Sequence, residues 1–240
     1  MPTKFAFICF IGIDGSGKTT NALSLDDYLR KNGIDSSYVW GRREPYLLKM
    51  PIKLFKRYIL KEKGKTEGSE YLSIKGKRKG LFGNKIFCSL WISVSLLEYF
   101  FLIYFKLIRS QKHREVVICD RYLHDAIVDF ASNCSISHTN TDTLLDNAIS
   151  RWFPRPDRLY FIDISPETGT RRKTDGTSLS YLQDRVPLYR SIAVRSGAMV
   201  IDGNLPLDEI KRIICDDAVR VLKKKKSRSF NHISCNSGAL

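Results

Sequence analysis

Seven apolar residues in succession, Phe5 to Ile11, open the patterned part of the chain. The run is too short for a membrane span and lacks the alternation of a half-exposed strand, so it predicts a strand buried on both faces of a parallel sheet. Residues 18 to 31 place Ala22, Leu23, Leu25, Tyr28 and Leu29 at helical spacing, and Asn32-Gly33 supplies a stop. Further strands are predicted at 36 to 40 (SSYVW), from Val116 up to Asp120, from Leu159 to Ile164 and from Ala198 to Asp202. Helices are predicted at 122 to 133, 141 to 153 and 206 to 222, with a short basic one at 52 to 61. Residues 62 to 85, rich in lysine and glycine and without apolar periodicity, predict a mobile loop.

Residues 86 to 105, IFCSLWISVSLLEYFFLIYF, meet the length criterion for a membrane span. Glu98 in their middle would cost roughly 2.5 to 3.5 kcal/mol in hydrocarbon. Three serines dilute the apolar character, and basic residues flank both ends. A span here would also put the phosphate loop and the Asp120 motif described below on opposite sides of a bilayer. The stretch is therefore read as a soluble helix, with contact to a membrane surface left open.

Charge changes the picture in two places. The net charge is +15, but residues 49 to 85 hold 12 Lys/Arg against 3 Asp/Glu and residues 211 to 228 hold 8 against 2. Those segments contribute +9 and +6, so the remainder is neutral. A neutral core with two basic appendages suggests an anionic partner beyond a nucleotide, such as a phosphorylated acceptor, nucleic acid or an acidic membrane, or else exposed lysines that only confer solubility. Six cysteines include no C-x-x-C pair, which fits buried thiols in a reducing compartment. No secretory signal precedes the first strand, so a cytoplasmic protein is expected. The four histidines show no metal-ligand spacing.

The chemistry begins directly after the first strand. Gly12-Ile13-Asp14-Gly15-Ser16-Gly17-Lys18-Thr19, followed by Thr20, fits G-x-x-x-x-G-K-[ST] at every fixed position. The glycines let successive N–H groups converge on phosphate oxygens at the positive end of a helix. Lys18 is expected to reach the β- and γ-phosphates of ATP and Thr19 to ligate Mg²⁺. The strand Val116 to Cys119 ends in Asp120, placed to hold the same Mg²⁺, and Arg121 faces the same crevice with a guanidinium suited to phosphate. Ser165-Pro166-Glu167 makes a strong helix start, and Arg171, Arg172 and Lys173 follow one turn later, with Arg185 and Arg190 on the next helix. A basic helix pair after a sheet strand suits a phosphate-closing lid at about 166 to 190.

Taken in order, GIDGSGKTT (12 to 20), Arg43-Glu44-Pro45, Asp120-Arg121-Tyr122, Pro156-Asp157 before the strand ending at Asp163, Arg171-Arg172 and Ile201-Asp202 resemble the thymidylate kinase family of P-loop kinases over about residues 4 to 222. The resemblance implies an α/β P-loop NTPase fold, a five-stranded parallel sheet of order 2-3-1-4-5 flanked by helices. It implies transfer of the ATP γ-phosphoryl group to a nucleoside monophosphate, dTMP to dTDP in first place; one kinase domain is expected over 1 to 222, and the lysine-rich residues 223 to 240 are expected to form a basic, disordered tail. By position, Arg43 and Arg121 would bind the acceptor phosphate and Asp14 would orient the acceptor. Arg171 or Arg172 would close on the transferring group, and residues 201 to 204 would flank the ATP base. The family's frequent homodimer makes the apolar helix 86 to 105 a candidate interface.

One stretch departs from the family. Where members usually carry a Ser and then an Ala-Tyr-Gln run, this chain has Leu123 to Phe130, including Asp125 and Asp129 four residues apart. Asp125 beside an acceptor would repel a phosphate and accept a proton from an alcohol, so a nucleoside, a polynucleotide 5′-hydroxyl or another alcohol is the alternative acceptor. A pair of solvated helix aspartates is the plainer reading. A third alternative is a nucleotide-dependent module that binds nucleic acid or anionic membrane.

Overall fold

The computed structural model describes residues 5–43, 85–110, 114–133, 144–173 and 176–236, with backbone alone at 85–87 and 228–236. In chain order the elements are β1 (Ala6–Ile11), α1 (Lys18–Lys31), β2 (Ser36–Trp40), α2 (Lys85–Ser110), β3 (Val116–Asp120), α3 (Leu123–Asn133), β4 (Arg158–Asp163), α4 (Pro166–Arg172), α5 (Leu179–Arg195), β5 (Met199–Asp202) and α6 (Leu207–Asn236). All five strands are parallel, in the order β2-β3-β1-β4-β5.

The continuous apolar run of β1 follows from its central place. Phe7, Cys9 and Ile11 enter a core built with α2, α3 and α5, while Ala6, Ile8 and Phe10 enter a second core with α1 and α6. Every residue of β1 is buried, so no position tolerates a polar side chain. Each large side chain contributes roughly 1.5 to 3 kcal/mol by leaving water. Phe10 is level with Asp120 of β3, and the Arg121 N–H donates to the Phe10 carbonyl at 3.1 Å. That register brings the loop after β1 against the motif after β3.

α2 has two apolar faces. Cys88, Ile92, Leu96, Tyr99, Ile103 and Leu107 recur every three or four residues and pack into the core. On the other side Leu90, Val94, Leu97, Phe101, Tyr104 and Phe105 are exposed. By length and composition the helix could cross a membrane, and it is the single such helix among the described residues. Its inner face packs into the core beneath the sheet.

The structure departs from the sequence expectations in two places. Of the helix predicted at 141 to 153, the described residues are helical only at Leu144 and Leu145; the chain then turns at 146 to 149 and forms a 3₁₀ turn, Ser150–Trp152. The hydroxyl of Ser150 donates to the Leu144 carbonyl at 2.7 Å, and Asn147 Oδ1 accepts from the Ile149 N–H at 2.9 Å. These side chains compete with the helical ladder. Second, the last helix does not end at 222 but continues to Asn236, so the basic tail begins as helix. Lys225 pairs with Asp157 at 2.5 Å and Lys226 with Glu115 at 2.6 Å, which tie two lysines of the basic run to the sheet's edge. The predicted helix 52 to 61, nearly all of the loop 62 to 85, and Glu44-Pro45 lie outside the described residues. Cys9, Cys88, Cys119 and Cys215 are buried free thiols.

Candidate active site

The loop between β1 and α1 is shaped by backbone conformation. Gly15 has φ 83°, and a Cβ there would lie 2.6 Å from the Gly169 carbonyl oxygen, so only glycine allows α4 to lie against the loop. Gly17 (φ 90°) precedes α1 without any side-chain cap, which leaves the first helical N–H groups available to an anion. Lys18 is 4% exposed, and its ammonium donates to the carbonyls of Gly12 and Ile13, both at 2.6 Å. Burial and the like charge of Arg121 lower its pKa to about 8, against the opposing pull of Asp125, Asp14 and Asp120.

Asp120, fully buried at the end of β3, meets the loop directly. Its Oδ2 accepts from the Thr19 hydroxyl at 2.5 Å and from the Tyr38 hydroxyl at 3.0 Å. Its Oδ1 is buried with no hydrogen-bond partner among the described residues. A buried carboxylate oxygen left unpaired is costly, and hard oxygen donors from Thr19 and Asp120 suit a small divalent cation, so these residues fit Mg²⁺.

Arg121 is the one non-glycine residue with positive φ (69°) among the described residues, a strained backbone that turns its side chain toward the loop. Its guanidinium forms an ion pair with Asp14 and lies 3.9 Å from Asp125. Burial works against the Asp14 carboxylate's charge, but Arg121 and Lys18 outweigh it and hold its pKa at about 2. Burial likewise opposes the charge on Arg121, and Asp125 and Asp14 overcome it, so its pKa is raised. Asp125 is buried: Oδ1 accepts from the Tyr189 hydroxyl at 2.7 Å and Oδ2 from the Tyr122 N–H at 3.1 Å. Burial pushes its carboxyl up to about 6, against Arg121, Lys18 and these hydrogen bonds. It is not the solvated helix aspartate of the plainer sequence reading.

Arg43 reaches the same region through Gly41. A Cβ on Gly41 would lie 2.1 Å from the Arg121 carbonyl oxygen, while the Gly41 carbonyl accepts from the Tyr99 hydroxyl at 2.6 Å. This close approach sets the start of the chain segment that carries Arg43. The Arg43 guanidinium lies 4.8 Å above the Phe130 ring, and its Nε and Nη1 are buried without hydrogen-bond partners among the described residues. Burial lowers its pKa.

Ser165 caps α4 as expected, accepting from the Thr168 N–H at 3.2 Å with Pro166 in the first turn. Arg172 donates to the Gly203 carbonyl at 3.1 Å, beside the segment expected to flank the ATP base, and Arg171 is exposed. Neither touches the Asp14-Arg121 cluster by any described contact. Gly12, Ile13, Asp14, Gly15, Ser16, Lys18, Thr19, Asp120, Arg121 and Asp125 are brought together, with Thr20 exposed on the first turn of α1. A cavity of about 420 Å³ lies elsewhere, between the start of α3, residues 145 to 159 and the end of α5. Tyr38, Gly169 and Tyr189 carry no sequence signal read above, apart from the spacing of Tyr189 four residues after Arg185, like Asp125 and Asp129; Arg185, expected on the lid, pairs with Asp129.

A phosphate loop at the end of a central strand, with a Walker-type Asp120 beside it in a parallel sheet of this order, defines a P-loop NTPase of the phosphotransferase kind. No protein-family model matches the chain. Curated relatives do. The probable thymidylate kinase of Methanococcus aeolicus is 31% identical over 184 residues, covering 77% of this chain and 74% of that protein. The thymidylate kinase of Geobacillus sp. strain WCH70 is 29% identical over 228 residues (86% and 92%), and that of Kosmotoga olearia 24% over 230 residues (91% and 97%). The chain belongs to the thymidylate kinase family, whose members are nucleoside monophosphate kinases.

Proposed function

We propose that the chain transfers the γ-phosphoryl group of ATP to a nucleoside monophosphate, dTMP in first place, in a Mg²⁺-dependent reaction in the cytoplasm. The observation that carries this reading is the convergence of Lys18, Asp120, Arg121 and Asp14 at one edge of the sheet, in a chain of this family. Transfer between two polyanions is limited by alignment and charge repulsion, so positioned cations are the expected catalysts. The amides of Gly12 to Lys18 cradle the donor phosphates, and Lys18 turns from the loop carbonyls to the β- and γ-oxygens. Thr19 and Asp120 would hold Mg²⁺, which would offset phosphate charge. Arg43, with buried nitrogens free of partners among the described residues, and Arg121 grip the acceptor phosphate. Asp14 orients the acceptor, and Arg171 and Arg172 close from the lid.

The burial of Asp125, with Tyr189, the Tyr122 N–H and Arg121 around it, favours a phosphate acceptor over an alcohol, since a general base must reach the substrate's hydroxyl. The exposed apolar face of α2 further supports a homodimer built on that helix. A screen of ADP release with nucleoside monophosphates, nucleosides and 5′-hydroxyl oligonucleotides tests the acceptor. Turnover is expected with dTMP or another monophosphate; turnover with hydroxyl acceptors alone refutes the reading.

A further inference from the structure

α3 and α5 carry matching polar pairs. Tyr189 donates to Asp125 at 2.7 Å, and Arg185 donates to Asp129 at 3.3 Å. Asp125 and Asp129 are one turn apart on α3, and Arg185 and Tyr189 are one turn apart on α5, with the numbering running in opposite senses. The helices are therefore antiparallel here and joined by a ladder of two polar rungs. Both partners of the first rung are buried, and the Tyr189 ring also stacks on Phe161 of β4 at 6.2 Å. In the second rung the Arg185 guanidinium also lies 3.5 Å above the Tyr181 ring.

A buried carboxylate is retained only where partners satisfy it. Asp125 is buried, with one oxygen accepting from Tyr189 and the other from the Tyr122 N–H, so it is held by its own surroundings. The group it does face is Arg121, 3.9 Å away and held on its other side by Asp14. Asp14 alone would leave the guanidinium free to follow the phosphate loop, whereas a second carboxylate fixed to α5 sets its direction independently. α5 is also the second helix of the lid segment expected at about 166 to 190, beginning seven residues after Arg172.

We propose that the Asp125-Tyr189 pair, braced by Asp129-Arg185, is a positioning device that aims Arg121 at the acceptor phosphate and ties that aim to the second helix of the lid segment. Tyr189, Asp125, Asp129 and Arg185 are positioning residues in this account, acting through Arg121. The inference rests on the reading of Arg121 as an acceptor-phosphate ligand given above.

Tyr189→Phe removes one hydroxyl and keeps the ring on Phe161. Loss of a hydrogen bond to a charged group is expected to raise the acceptor KM about five- to tenfold, with the ATP KM unchanged. Asp129→Asn is expected to raise the acceptor KM about two- to threefold, weakening the outer rung. The Nε–H resonance of Arg121, assigned by its loss in Arg121→Lys, is expected to be sharp in the wild type and broadened or shifted in Tyr189→Phe. An unmoved Arg121 resonance overturns the proposal. So does an unchanged acceptor KM, or a common fall of kcat, both affinities and Tm that marks mere destabilisation. A wild-type protein that phosphorylates no nucleoside monophosphate refutes the proposed function instead, and the Arg121 resonance then decides this inference by itself.

Discussion

His124 and Asp125 are adjacent, buried and titrate in opposite senses, so exchanging either one exposes the other's effect on stability. Burial lowers the His124 pKa to about 4, from an ordinary value near 6.5. The unfolded chain therefore binds a proton at His124 between about pH 6.5 and 4 that the folded chain refuses, and stability falls as pH drops through that range. Burial raises Asp125 to about 6. The folded chain keeps its proton there between about pH 4 and 6 while the unfolded chain has lost it, so stability falls as pH rises. Each pKa difference of a little over two units corresponds to about 3 kcal/mol. In the wild type the two slopes largely cancel between pH 4 and 6. Asp125→Asn leaves the histidine slope, and stability relative to wild type should rise by about 3 kcal/mol from pH 4 to 6. His124→Gln leaves the aspartate slope, and stability relative to wild type should fall by a similar amount. Urea denaturation at half-unit pH steps measures both, since other titrating groups are common to the three proteins. Parallel profiles for the two variants would refute the opposed-burial argument.

Three further outcomes are expected. Gly41→Ala sets a Cβ 2.1 Å from the Arg121 carbonyl oxygen, so it should destabilise by about 1 to 3 kcal/mol in thermal melts and raise the acceptor KM, because Arg43 and Arg121 both move. Asp120→Asn should weaken Mg²⁺ binding, read as a rise of at least about tenfold in the Mg²⁺ concentration for half-maximal rate. Phe101→Glu with Phe105→Glu on the exposed face of α2 should turn a dimer into a monomer by light scattering, without lowering Tm by more than a few degrees.

The parts legible in the sequence are those where one physical demand acts alone. β1 reads as a strand because both faces are covered, and the phosphate loop reads as such because only glycines adopt its turns. Strand order followed from the family resemblance, not from the apolar pattern. α2 was harder, since its core-facing and outward faces are both apolar and no amphipathic stripe separates them. Residues 144 to 153 carry apolar positions at helical spacing, but Ser150 and Asn147 capture backbone groups that a helix needs. The spacing of Asp125 and Asp129 announced a shared helix face; their partners lie more than fifty residues later on α5, where only the fold brings them together. Where α6 passes 222, Lys225 and Lys226 likewise meet Asp157 and Glu115, carboxylates distant in the sequence.

The central claim is that one crevice at the end of β1 and β3 moves phosphate from ATP to a nucleoside monophosphate. The direct measurement follows the γ-phosphate of labelled ATP onto dTMP, with wild type compared against Lys18→Ala and Arg121→Ala. Lys18 is desolvated at a cost to its charge, so its removal should leave the fold intact while lowering transfer by about 100-fold or more. Arg121→Ala should lower transfer mainly through the acceptor. Label appearing in dTDP in the wild type and lost in folded Lys18→Ala is the predicted result; equal transfer by wild type and Lys18→Ala would contradict the account.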